Sequence, residues 1–91
     1  MIPARDSRYL QKENMNTLKQ FGIPCEELIA IGSSIPQYHP KADRWMLYQY
    51  CAAATIDLLQ KHKIKKTDDT LTAVTAILFS HIMLTDHKRR L

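Results

Sequence analysis

Glycine is nearly absent from this chain, with two among 91 residues, and proline occurs four times. An all-β domain needs a turn residue every several positions, so this scarcity argues against sandwiches and barrels. Long apolar runs are also missing. The longest uncharged stretch, "TLTAVTAILFSHIMLT", covers 16 residues from Thr70 to Thr85 and includes Thr, Ser and His. Spanning a bilayer takes roughly 20 apolar residues, so no membrane segment is expected. Cysteine is limited to Cys25 and Cys51, with no Cys-x-x-Cys pair. The opening "MIPARDSRYLQKEN" carries charge from Arg5 onward and has no apolar leader. A cytoplasmic location with two free thiols is the expectation.

The motifs of catalysis are missing too. There is no glycine-rich phosphate loop, nucleophile elbow or defined carboxylate pair. None of the four histidines, His39, His62, His81 and His87, has another three or four positions away, as two ligands on one helix face require. Cys25 stands near a helix start, where the dipole lowers a thiol pKa, but Glu26 and Glu27 oppose that effect. No residue is therefore assigned to catalysis, to a metal or to a cofactor, and the chain is not expected to be an enzyme.

What remains is helical patterning in a 45% hydrophobic chain of single-domain size. After a tail at residues 1–6, a first helix is expected from an N-cap at Asp6 or Ser7. Tyr9, Leu10, Met15, Leu18 and Phe21 supply its stripe, and Gly22 closes it. Pro24 opens a short apolar second helix, "CEELIAIG", which Gly32 would end. A proline-containing loop is expected at residues 33–40, because Pro36 and Pro40 push Ile35 and His39 away from helical angles. The third helix would run from about Lys41 to His62, with one stripe of Trp45, Tyr48, Ala52, Ile56 and Leu59. An adjoining stripe holds Leu47, Cys51, Ala54 and Leu58. A basic connection at residues 63–67 leads to a fourth helix capped by Thr67, with Leu71, Val74, Ile77, Leu78, His81 and Ile82 on its apolar side. The fold expectation is all-α, a compact bundle or orthogonal array of about four helices in one domain over residues 1–91.

The corner at Gly22–Pro24 partly meets the spacing of a DNA-reading helix-turn-helix: Leu18 stands where a small residue is wanted, and Phe21, Gly22, Ile23, Leu28 and Ile31 fit the rest of a generic framework. Its groove-facing set would be Pro24, Cys25, Glu26, Ile29, Ala30 and Ser33. That set holds no cation and includes an anion, which suits phosphate poorly. Net charge is +4, too small to demand nucleic acid. Cations cluster at Lys61–Lys66 and at Lys88, Arg89 and Arg90. If the third and fourth helices are antiparallel, the second cluster joins Lys41 and Arg44 at one end as a candidate basic surface.

Two almost uncharged helices and an apolar second helix offer more nonpolar surface than a chain this short easily covers. The functional expectation is a non-enzymatic protein-interaction module: a small complex subunit, adaptor, chaperone or inhibitor. Its partner is another protein chain, met by self-association or in a hetero-complex. The candidate contact residues are Leu28, Ile29, Ile31, Trp45, Tyr48 and Tyr50. The alternative is a small DNA- or RNA-binding protein using its basic helix ends.

Overall fold

The computed structural model describes the backbone of residues 11–90 and the side chains of residues 11–85. Within them lie four α-helices and no strand: α1 (Lys12–Phe21), α2 (Cys25–Tyr38), α3 (Arg44–Lys61) and α4 (Asp68–Arg90). They pack against one another as the all-α bundle expected. The tail at residues 1–6 and the expected caps Asp6 and Ser7 lie outside the described residues.

Two helices end with the same device. Gly22 takes a left-handed φ of 82°, its N–H donates to the Lys19 carbonyl at 3.1 Å, and Ile23 N–H donates to Leu18 at 2.9 Å. At the end of α3, Lys63 takes φ 57°, with Lys63 N–H on Gln60 at 3.1 Å and Ile64 N–H on Leu59 at 2.9 Å. Both are Schellman closures, in which the reversed chain satisfies otherwise orphaned carbonyls. In each, the apolar residue after the turn folds back toward the last helical turn. Leu18 and Ile23 are buried, and Ile64 packs on the core that holds Leu59.

The second helix corrects the expected boundaries. It does not stop at Gly32, and residues 33–38 of the expected loop are helical. Gly32 is a contact residue instead of a cap. A Cβ placed there would lie 2.9 Å from His81 Cδ2 and 3.6 Å from Leu78 Cδ1, so α2 crosses α4 at a distance only glycine permits. Beyond it Ile35 is 8% exposed, and burying that side chain carries the helix through Pro36. Pro36 removes one backbone bond, to the Gly32 carbonyl, and the helix finishes two residues later at Tyr38. The third helix begins at Arg44, not Lys41, because the carboxylate of Asp43 accepts the Met46 N–H at 2.8 Å. Thr67 caps α4 as expected, its hydroxyl accepting from Thr70 N–H at 3.1 Å.

α3 and α4 form an antiparallel pair. A six-residue connection joins them, and the Tyr48 and Phe79 rings meet edge to face at 5.5 Å well along both helices. α2 lies across one side of this pair, touching both helices, and α1 fills the angle between α2 and α4. The core takes Leu47, Cys51 and Leu58 from α3, Val74, Leu78 and Ile82 from α4, and Leu28, Ile29 and Ile35 from α2.

Two substitutions test these contacts by urea unfolding followed by circular dichroism. Helix propensity alone would make Gly32→Ala stabilising by about 1 kcal/mol. The close approach to His81 reverses the sign, to a loss of about 1 kcal/mol. Lys63→Gly relieves a left-handed non-glycine residue and stabilises by about 1 kcal/mol.

Candidate partner-binding surface

The contacts divide α3 into two sides. On one side α2 approaches: Glu27, in its first turn, is bonded to Lys61 Nζ and to His62 Nε2. Tyr50 stacks on His39 there with ring centres 3.9 Å apart and planes 13° from parallel. A groove of about 380 Å³ runs between the two helices, lined by Glu27, Ala30, Ile31, Ala54, Asp57, Leu58 and Lys61. On α4 the same side presents His81 and Leu78 to Gly32.

The other side of the α3–α4 pair meets no described helix. Trp45, Tyr48, Ala52 and Ile56 recur along α3 at three- and four-residue spacing, and Thr72, Ala76, Phe79 and Met83 do so along α4. The Tyr48–Phe79 ring contact places these rows side by side. Trp45 is 71% exposed and Tyr48 36%; Thr72 and Ala76 are exposed, and Ala52, Ile56, Phe79 and Met83 half-buried. None of the eight carries a charge. By contrast Ile77, one helical turn before His81, is 7% exposed. The two flanks of one helix are therefore unequal: one is buried, and the other is an uncharged row that is exposed or half-buried.

Of the expected contact residues, Trp45 and Tyr48 are on this surface. Leu28 and Ile29 are not, and that expectation is corrected: they are 0% and 3% exposed, in the core of the same chain. Tyr50 is half-buried and engaged by His39, and Ile31 is half-buried in the α2–α3 groove. Phe79, Met83, Ala76 and Ile56, also on this surface, were not among the expected contact residues. Their signal was present, because Thr72, Ala76, Phe79 and Met83 repeat at the four- and three-residue steps of a packing seam, interleaved with the core stripe of α4.

Of the groove-facing set of the helix-turn-helix reading, Pro24, Glu26 and Ala30 are exposed, Cys25 and Ser33 are half-buried, and Ile29 is not free. Ile29 is in the core, and Glu27 beside it is paired to α3. Lys41 and Arg44 are exposed. The antiparallel pairing carries the α4 backbone at Lys88, Arg89 and Arg90 to their end of the molecule; those three side chains lie outside the described residues.

Neither thiol is primed for nucleophilic work. Burial, and then the charge of Glu26, pushes the Cys25 thiol up, and burial pushes Cys51 to about 11. Among the described residues no three His, Cys, Asp or Glu side chains group as metal ligands, and no helix is long and apolar enough to cross a membrane. Comparison of the chain with protein-family models, curated proteins and solved structures finds no match.

Bonds from Lys61 first, and from His62 second, hold the Glu27 carboxyl below its ordinary value of 4.5. A depressed carboxylate stabilises the fold above its unfolded pKa, and the effect fades as pH falls through the folded one. The stability gap between the wild type and Glu27→Gln should therefore be full at neutral pH and close as pH drops below 4.5. Urea midpoints across that range measure it. A constant gap would show that the bonds to Lys61 and His62 do not set the stability of the α2–α3 contact.

Proposed function

We propose that this protein is a protein-interaction module whose working surface is the outer face of the α3–α4 pair. One observation carries the reading: eight uncharged positions on two adjoining helices, including the only tryptophan, form an apolar surface that no described helix covers. Isolated apolar residues are ordinary on protein surfaces, but a contiguous face of them marks a site of association. Tryptophan and tyrosine add large contact area at small cost in side-chain freedom. Small subunits, adaptors, chaperones and inhibitors all work through such faces, and a cytoplasmic setting fits the two free thiols.

A photo-crosslinking residue placed at Ile56, on the face, tests this in the native cell. Adducts to polypeptide should form from position 56 and resist nuclease, whereas the same group at Gln37, exposed at the end of α2, should give none. Equal labelling from both positions, or adducts removed by nuclease, would overturn the proposal. The face should also be dispensable for folding. Trp45→Ser is expected to shift stability by less than about 0.5 kcal/mol in urea unfolding, because the indole contributes little to the core.

A further inference from the structure

We draw no further inference here: the strongest candidate, the groove of about 380 Å³ between α2 and α3, is lined by Ala30, Ile31, Ala54 and Leu58 with its Glu27 and Lys61 bonded to each other, and nothing in the structure shows what covers it.

Discussion

Everything in this fold depends on how closely α2 can lie against α4. At Gly32 the two helices meet at a separation that leaves no room for a methyl group against the His81 ring. That approach draws Leu28, Ile29 and Ile35 into one core with Leu78 and Ile82. It brings the first turn of α2 over the end of α3, where Glu27 takes both Lys61 and His62. α1 then closes the angle on the same side. Two short helices spent on one side of a two-helix layer leave none for the other, so the apolar outer face follows from the same packing choice.

Much of this arrangement was legible. Gly22 and Thr67 each have one local role, so their helix ends could be placed from the sequence. Gly32 could not be read this way. A glycine after a short apolar run signals a helix end as readily as a close crossing, and only the position of His81, far away in sequence, decides between them. The same ambiguity misplaced residues 33–38, because Pro36 tells against a helix locally while Ile35 is held by the core. The start of α3, expected at about Lys41, lies at Arg44 because the Asp43 carboxylate accepts the Met46 N–H. Lys63 gave no warning at all, since lysine rarely adopts the left-handed conformation it has here.

The site was legible in part for a related reason. Trp45 and Tyr48 stand out by residue type, and the stripe that holds them was visible along α3. Its partner row on α4 was not, because Phe79 and Met83 alternate with core residues in a segment without charge, where every face looks apolar. Leu28 and Ile29 erred in the opposite direction. An apolar run seemed too much for two turns of helix, but α2 is longer than expected and is covered from two sides. The helix-turn-helix spacing put Ile29 on the groove-facing side, yet that side chain is in the core. A motif defined by spacing says nothing about which face is left free.

Trp45 brings one more consequence. It is the only tryptophan, and it stands 71% exposed on the outer face, apart from the core. Its indole is already mostly exposed in the isolated folded chain, so tryptophan emission changes little when that chain unfolds. The same indole loses its water as soon as another surface settles on α3. Trp45 would therefore report a contact on this face by a change in its emission, with little background from folding.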